Sequence, residues 1–229
     1  MIESVVEFFN TEKMVKNSFY LTYIFLLTTA TITFIEAMRT KNSKVRHILN
    51  LETCISVVAA YFYGRFVEQI EGNINYRKIN MTRYVDWFIT TPIMLLVLCL
   101  AFLYNLNKKL HFGTFLKVLA LNFAMLASGY MGELNYINRN TGLIIGFIFF
   151  FLLYGFIYMK FLYKNPMFDN KILYWAFFIF WICYGLVFNM PEKFKNVAFN
   201  YLDLFAKCFV GIFFWAYFTG VFTLKKSGI

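Results

Sequence analysis

Charged residues are scarce in this sequence of 229 residues. They make up 15% of the chain, whereas 60% of the residues are hydrophobic and 22% are aromatic. Soluble domains of this length seldom have such a composition. Apolar runs recur along the whole chain, and they are too long and too many for a cleaved signal peptide. The sequence therefore indicates a multi-pass helical protein of the lipid bilayer, with one membrane domain over residues 1–229.

Cysteine is scarce as well, since the chain has only four. All of them lie inside apolar runs without metal-ligand spacing, so we expect small core residues and no metal site at Cys54, Cys99, Cys183 and Cys208. The net charge of +10 would fit a nucleic-acid partner, but basic loops beside membrane spans explain it better. Nucleic-acid binding is therefore not expected, and neither is enzymatic activity.

Seven segments are apolar enough to cross a bilayer, which needs about 20 residues per helix. Polar stretches separate these segments, which cover residues 18–38, 47–69, 83–105, 111–131, 141–163, 171–189 and 197–223. Basic residues in the first, third and fifth loops and at the C-terminal end predict that these parts face the cytoplasm. They are Arg39, Lys41, Lys44, Arg46, Lys108, Lys109, Lys164, Lys225 and Lys226. The N-terminus would then lie outside, where residues 1–17 are expected to form a short interfacial helix.

Two pairs of charged residues lie inside apolar segments, where charges are rare and mostly functional. Arg83 and Asp86 are three residues apart in the third segment, and Asp203 and Lys207 are four apart in the seventh. The second spacing puts both side chains on one helix face. Lys207 lies near mid-membrane, where it needs either a tight ion pair or conversion into a Schiff base. One lysine, one arginine and two aspartates sum to zero charge, which fits a protonated Schiff base held by carboxylates.

The stretches RYVDWFITTP, residues 83–92, and DLFAK, residues 203–207, resemble the third-helix signature and the retinal-lysine motif of the microbial (type 1) rhodopsins. The resemblance extends over all seven segments and implies an all-α membrane protein, a seven-transmembrane-helix bundle. It also implies all-trans-retinal bound to Lys207 as a Schiff base. Asp86 and Asp203 would be its counterions, with Asp86 as the primary proton acceptor.

Further site residues follow from the same resemblance. On the third helix, Arg83 would lie one turn outward from Asp86, and Thr90, one turn inward, would hydrogen-bond Asp86. A tyrosine of the second helix, either Tyr61 or Tyr63, would lie near the counterions. The side chains expected around the retinal are Trp87, Thr91, Met94, Met125, Gly129, Trp181, Tyr184 and Phe188.

The chain departs from the family pattern at several positions. In WICYG, Gly185 stands in place of a proline, which puts the kink of the sixth helix in doubt. The fifth segment has no tryptophan. Met94 is apolar, as in green-absorbing members of the family. Asn122 is expected to face Thr91. In the family, the residue at the position of Asn122 is an acid.

The third helix lacks a proton donor, because Val97 stands where outward proton pumps carry Asp or Glu. Reprotonation from water would be slow, and a slow cycle suits channels and sensors. Glu52 lies in the second segment, 11 residues from Tyr63, which is about three turns, so the two share a face. Glu52 either reaches the cytoplasmic interface or lines an ion path with Ser56 and Asn200, since carboxylates favour cations.

The compact, Phe-rich chain is most similar to the giant-virus (phycodnavirus-type) rhodopsins. One branch of that group is associated with light-gated cation conduction and another with proton transport. We therefore expect a light-gated cation channel, with a slow outward proton pump and a photosensor coupled to a partner as alternatives. Cations or protons would be the transported species, and a host cell membrane would be the location. The sequence leaves open whether the chain forms a homo-oligomer.

Overall fold

The computed structural model describes residues 11–164 and 166–221, and these residues form seven helices. The helices are α1 Glu12–Arg39, α2 Ser43–Ile70, α3 Tyr76–Asn105, α4 Phe112–Glu133, α5 Arg139–Leu162, α6 Phe168–Val187 and α7 Glu192–Phe218. The predicted seven-helix fold is confirmed, and every helix overlaps one predicted span. Most of the expected interfacial helix, with Lys225 and Lys226, lies outside the described residues, and residues 12–17 belong to α1.

Six of these helices are long and apolar enough to cross a membrane, and α2 is the exception. Its 28 residues exceed the roughly 20 that a bilayer needs. However, charged side chains lie near both of its ends, and Glu52 lies about a third of the way along it. Because α2 packs between α1 and α3, contacts with other helices reduce the surface that must be apolar for lipid.

Side-chain caps define where several helices begin. The hydroxyl of Thr11 accepts a hydrogen bond from the backbone N–H of Met14 at 3.3 Å. Asn42 caps α2 in the same way, and Asn75 caps α3. Such caps satisfy N–H groups that have no partner within the helix. The short connections between helices place consecutive helices antiparallel to each other.

The polarity of the bundle is inverted relative to that of a soluble protein, as α1 illustrates. Its inward face carries four hydroxyl residues that are 0% exposed, Ser18, Thr22, Thr29 and Thr33. Its outward face carries large apolar residues that are 47–58% exposed, Ile24, Leu27, Phe34 and Ile35. A surface of this kind is stable in lipid and not in water. The chain is therefore an integral membrane protein.

Two helices contain a π-helical segment, Tyr158–Leu162 at the end of α5 and Leu204–Phe209 within α7. Insertions of this kind are frequent at functional sites, because they turn side chains away from the regular helical register. Lys207 belongs to the second segment. The local distortion of α7 therefore coincides with the residue to which the sequence motif points.

The prediction that all four cysteines are core residues is partly wrong. Cys99 and Cys208 are buried and Cys183 is half-buried, but Cys54 is exposed on the outward face of α2. The apolar run around Cys54 indicates only that it lies within the membrane. The side of the helix to which the thiol points depends on the rotation of α2 against its neighbours, which the cysteine position alone does not give.

Candidate functional site

The amine of Lys207 is the centre of a buried charge cluster. Its Nζ lies 2.7 Å from Oδ2 of Asp86 and 3.4 Å from Oδ1 of Asp203. All three residues are at most 2% exposed. The i,i+4 spacing explains the contact with Asp203, whereas Asp86 comes from α3, 121 residues away in sequence. The fold thus places two acceptors around one lysine nitrogen.

The two carboxylates differ in the number of groups that hold them. Four donors besides Lys207 surround Asp203, namely Tyr184 at 2.7 Å, Tyr63 at 2.8 Å, Trp87 at 3.4 Å and Arg83 at 3.4 Å. Asp86 accepts a hydrogen bond from Lys207 through Oδ2. Its second oxygen, Oδ1, has no hydrogen-bond partner among the described residues. Donors stabilise the charged form of a carboxylate. Asp86 is therefore the carboxylate better suited to accept a proton.

The structure distinguishes between the two tyrosines that the sequence leaves open. Tyr63 is 0% exposed and its hydroxyl donates to Asp203, whereas Tyr61 is 64% exposed on the outside of the bundle. Positions two residues apart on a helix point in different directions, so only one of the two can face the interior.

Arg83 neutralises the remaining negative charge of the cluster. Its guanidinium donates to Oδ1 of Asn200 at 2.7 Å and to Oδ1 of Asn196 at 3.3 Å, and it is 1% exposed. Four aromatic rings lie within 6 Å of its central carbon, those of Phe19, Tyr63, Phe66 and Phe199. We call the part of the bundle beyond Lys207 in this direction the Arg83 side, and the opposite part the Glu52 side.

A cavity, part of it open to the outside, begins at Lys207 and Asp203. Its walls include all eight residues expected around the retinal, Trp87, Thr91, Met94, Met125, Gly129, Trp181, Tyr184 and Phe188. A largely apolar cavity with an amine at one end fits an aldehyde on a long polyene. Gly129 leaves room for Tyr84, another residue of the wall, because a Cβ at position 129 would lie only 2.6 Å from the hydroxyl oxygen of Tyr84.

The contacts of the two threonines differ in part from the expectation. Thr90 does hydrogen-bond Asp86, but its hydroxyl donates to the backbone carbonyl at 2.9 Å and not to the carboxylate. A threonine four residues along a helix reaches this carbonyl easily. Thr91 bonds the carbonyl of Trp87 in the same way and accepts a hydrogen bond from Asn122 at 2.9 Å. The amide of Asn122 therefore joins α4 to α3, as the sequence predicts.

A second polar network lies at the end of the Arg83 side, and we call it the carboxylate cluster. It joins four helices through Asn80 of α3, Glu133 of α4, Arg139 of α5, and Glu192 and Lys195 of α7. Asn196 connects it to Arg83, because its amide donates to Asn80 while its oxygen accepts from Arg83. A continuous line of polar contacts therefore runs from Lys207 to this end of the bundle.

Replacing Lys195 with methionine should lower the stability of the bundle by about 2 kcal/mol. Lys195 is 0% exposed and lies 3.1 Å from Glu133 and 2.9 Å from Glu192. Its loss leaves Glu133 buried with fewer positive partners, and the effect is below that for fully buried pairs because Glu192 stays partly exposed. Thermal loss of helical circular dichroism in detergent measures the change. Lys193→Met is the control, and equal melting of both variants would contradict the prediction.

Glu52 lies across Lys207 from the carboxylate cluster. It is 2% exposed, and no ion pair or hydrogen bond joins its carboxyl group to another described residue. Its Oε2 lies against the backbone of α7, 3.1 Å from where a Cβ on Gly211 would be. A carboxylate without a partner is unfavourable in such a place, so burial favours the neutral acid. The alternative in which Glu52 reaches the interface does not agree with this burial.

The three residues expected along an ion path do not lie together. Ser56 is 0% exposed and one turn from Glu52 on the same face of α2. Asn200 lies on the Arg83 side, where its oxygen accepts from Arg83 and its amide donates to Ser18. Asn200 and Glu52 therefore lie on opposite sides of Lys207, and a shared ion path through both of them stays a prediction.

Several residues of the site were not predicted from the sequence. Further parts of the cavity wall come from Tyr84, Gly142, Gly146, Phe147, Phe150 and Phe199. Phe147 and Phe150 belong to the Phe-rich fifth segment. Because this segment has no tryptophan, its sequence does not show which of its residues line the cavity. In the carboxylate cluster, the one available signal is the i,i+3 spacing of Glu192 and Lys195. This spacing does not distinguish a surface pair from a buried one.

Comparison with known proteins agrees with this geometry. The family model described as "Bacteriorhodopsin-like protein" matches residues 14–221. The chain belongs to this family. Its members, the microbial rhodopsins, bind retinal, and they transport ions or sense light. The residues that resemble the family motifs are those that the structure brings together around Lys207.

Solved structures give the same fold. The viral rhodopsin OLPVRII is 52% identical, over 91% of this chain and 99% of that one, with a TM-score of 0.86. This confirms the similarity to viral rhodopsins. Acetabularia rhodopsin I is 17% identical over 91% and 95% of the two chains, with a TM-score of 0.77. A blue light-absorbing proteorhodopsin from Med12 is 21% identical over 88% and 94%, with a TM-score of 0.71. These two share the fold alone. The search of the curated proteins gives no match.

Proposed function

We propose that this microbial rhodopsin binds retinal at Lys207 and uses light to move protons outward across a lipid bilayer. The observation that carries this proposal is the 2.7 Å contact of Lys207 Nζ with Asp86, a carboxylate whose second oxygen has no partner among the described side chains. A proton acceptor needs hydrogen-bond reach of the proton and a charged form that is not overstabilised. Asp86 meets both conditions better than Asp203.

All-trans-retinal is the proposed cofactor, and as a protonated Schiff base of Lys207 it would supply light absorption and the driving energy. Aromatic walls such as Trp87 and Trp181 would hold the polyene, and Met125 with Gly129 would flank its ring. Asp203, held by Tyr63 and Tyr184, would stay charged and balance Lys207 together with Arg83. The residues present thus fit the cofactor.

Transport of protons in one direction requires a proton donor on the side of Lys207 opposite the proton acceptor. Asp86 takes a proton from Nζ of Lys207 toward the Arg83 side, which the basic loops predict to be extracellular. Glu52, a buried acid without a counterion among the described residues, is the proposed donor on the cytoplasmic side. It would replace the third-helix acid that is missing at Val97, so that the cycle need not wait for a proton from bulk water.

A light-gated cation channel stays the second candidate, and the polar residues of α2, Glu52 and Ser56, favour it. The packing of the Glu52 side supports the pump instead. Apolar residues from α3 and α7 form one cluster there, among them Val97, Leu98, Phe102 and Phe214, each 0% exposed. A hydrated cation would have to separate these side chains, whereas a proton needs only a chain of hydrogen bonds. A photosensor coupled to a partner stays an alternative, and whether the chain forms a homo-oligomer stays open.

Glu52→Gln should slow the return of a proton to Nζ of Lys207 by roughly 10²-fold or more, because an amide cannot donate as an acid does. Visible absorption after a laser flash follows this step. The control is Glu68→Gln on the same helix, since Glu68 is exposed and pairs with Arg65. A rate unchanged by Glu52→Gln would remove Glu52 as the donor.

The proposed transport can be tested in cells that express the chain and are supplied with retinal. Illumination should acidify the outer medium, and a protonophore should abolish the change. Illumination without any pH change, in cells that contain coloured protein, would contradict outward proton transport.

A further inference from the structure

The seam between α5 and α6 is held together at two places. On the Glu52 side, the hydroxyl of Tyr174 donates a hydrogen bond to the backbone carbonyl of Tyr154 at 3.1 Å. On the Arg83 side, the guanidinium of Arg139 donates to the backbone carbonyl of Phe188 at 2.9 Å. Phe147 lies about two helical turns from both Tyr154 and Arg139 along α5. It therefore occupies the middle of the seam, between these two contacts.

The ring of Phe147 fills a place on α6 where a side chain is missing. A Cβ on Gly185 would lie only 2.5 Å from Cζ of Phe147, and the three atoms nearest to it all belong to this ring. A proline would carry such a Cβ as well, so the packing of Phe147 gives a reason for the glycine that replaces the proline of the family pattern. Because Gly185 has no side chain that could interlock with the ring, closure of the seam depends on the rotamer of Phe147.

Phe147 separates the cavity of Lys207 from the outer surface of the bundle. Phe147 and Gly185 line this cavity from inside, and both are half-buried. The large apolar side chains beside them on α5 and α6 are exposed, namely Ile144, Ile148 and Leu186. In a bilayer such a surface faces the hydrocarbon of the lipid. One aromatic ring thus stands between the lipid and the cavity at this place.

Three other boundaries of the cavity are closed by described residues. α4 and α5 are in backbone contact, because a Cβ on Gly142 would lie 2.8 Å from the carbonyl oxygen of Ser128 and 3.0 Å from Cα of Gly132. The carboxylate cluster closes the Arg83 side of the bundle. Packed apolar side chains close the Glu52 side. An apolar molecule would have to separate helices, ion pairs or a core on these three routes.

We propose that retinal enters the cavity from the lipid through the seam between α5 and α6, with Phe147 as the side chain that opens and closes it. The inference rests on the proposed function, in which retinal binds at Lys207, and it adds the route by which the aldehyde arrives. Retinal is an apolar polyene and partitions into the hydrocarbon of a bilayer. Rotation of Phe147 away from Gly185 opens the seam, and its return separates the bound polyene from the lipid.

The first test measures how fast the retinal-free protein in phosphatidylcholine vesicles gains colour when all-trans-retinal is added in excess. The visible band appears once the aldehyde reaches Nζ of Lys207 and condenses with it, which releases one water. Phe147→Ala should raise the rate constant about tenfold, because no ring then has to leave a preferred rotamer. Phe147→Trp should lower the rate constant, because an indole fills more of the seam.

Two control variants separate the seam from other effects of a smaller side chain. Phe123→Ala removes an exposed phenylalanine from the lipid-facing surface of α4, where it stacks on Phe88. Leu126→Ala enlarges the cavity at α4, away from the seam. Both variants should gain colour at the rate of the parent chain.

The second test needs no retinal and examines the contact between Phe147 and Gly185. Gly185→Ala places a methyl group where the ring lies, so it should lower the melting temperature of the retinal-free protein by a few degrees. In the Phe147→Ala background the same substitution should have much less effect, because the ring that it meets is gone. Circular dichroism in detergent measures both differences.

The route and the proposed function fail in different ways. A Phe147→Ala chain that gains colour at the parent rate, or a Leu126→Ala chain that gains it as fast as Phe147→Ala, would overturn the route and leave retinal binding intact. An equal effect of Gly185→Ala in both backgrounds would also overturn it, since Phe147 would then not close the seam against Gly185. A parent chain that stays colourless would instead overturn the proposed function, and the route with it.

Discussion

Lys207→Ala should give a protein that folds but stays colourless when retinal is added. No other amine lines the cavity among the described residues, so the aldehyde has no nucleophile within reach. The absorption spectrum after incubation with retinal measures the effect, which should be complete loss of the visible band. Lys117→Ala is the matched control, because Lys117 is an exposed lysine of α4, and it should keep the colour.

Folding has to be separated from chromophore loss in this experiment. Alanine at position 207 leaves Asp86 and Asp203 buried with one positive partner fewer, which is unfavourable. The double variant Lys207→Ala with Asp86→Asn removes the excess negative charge. Both variants should keep the helical circular dichroism of the parent chain. A visible band in either variant would contradict the assignment of Lys207.

Asp86→Asn should reduce light-driven acidification by at least about 10²-fold, because an amide cannot take the proton from Nζ. The colour should remain, since Asp203 still balances Lys207 at 3.4 Å. The external pH of illuminated cells measures the change. Asp169→Asn on α6 is the control, because Asp169 pairs with Tyr217 away from the cavity.

The contrast between the two aspartates sharpens this prediction. Asp203→Asn removes an anion that holds Tyr63, Tyr184 and Arg83 together, so it should also reduce the thermal stability of the bundle. Asp86→Asn should leave stability nearly unchanged by comparison. Continued acidification by Asp86→Asn at the parent rate would show that another group accepts the proton.

Much of this architecture follows from the sequence, because polar and charged groups are energetically unfavourable inside a bilayer. Apolar runs give the seven helices, and the high cost of intramembrane charge singles out Lys207, Asp86 and Asp203. The face shared by Glu52 and Tyr63 follows from the helical period. These are properties of single helices or of a neutral charge sum, and they need no knowledge of how the helices pack.

The features that could not be predicted depend on packing between helices. Lys195 appears as a loop charge in the sequence, yet it is 0% exposed because α4 and α5 bring Glu133 and Arg139 over it. The polar side chain of Asn200 is suited to an ion path, but its position along α7 puts it beside Arg83. The hydroxyl of Thr90 turns to a backbone carbonyl, a choice of rotamer that the spacing alone does not give.

Voltage clamp of a retinal-loaded cell tests most directly whether light drives protons in one direction through Asp86. We expect an outward photocurrent that keeps its sign at all voltages and does not follow the sodium or potassium gradient. A photocurrent that reverses with the cation gradient would contradict one-way proton transport and establish a channel. A visible photocycle without any current would contradict it too, and would leave the photosensor.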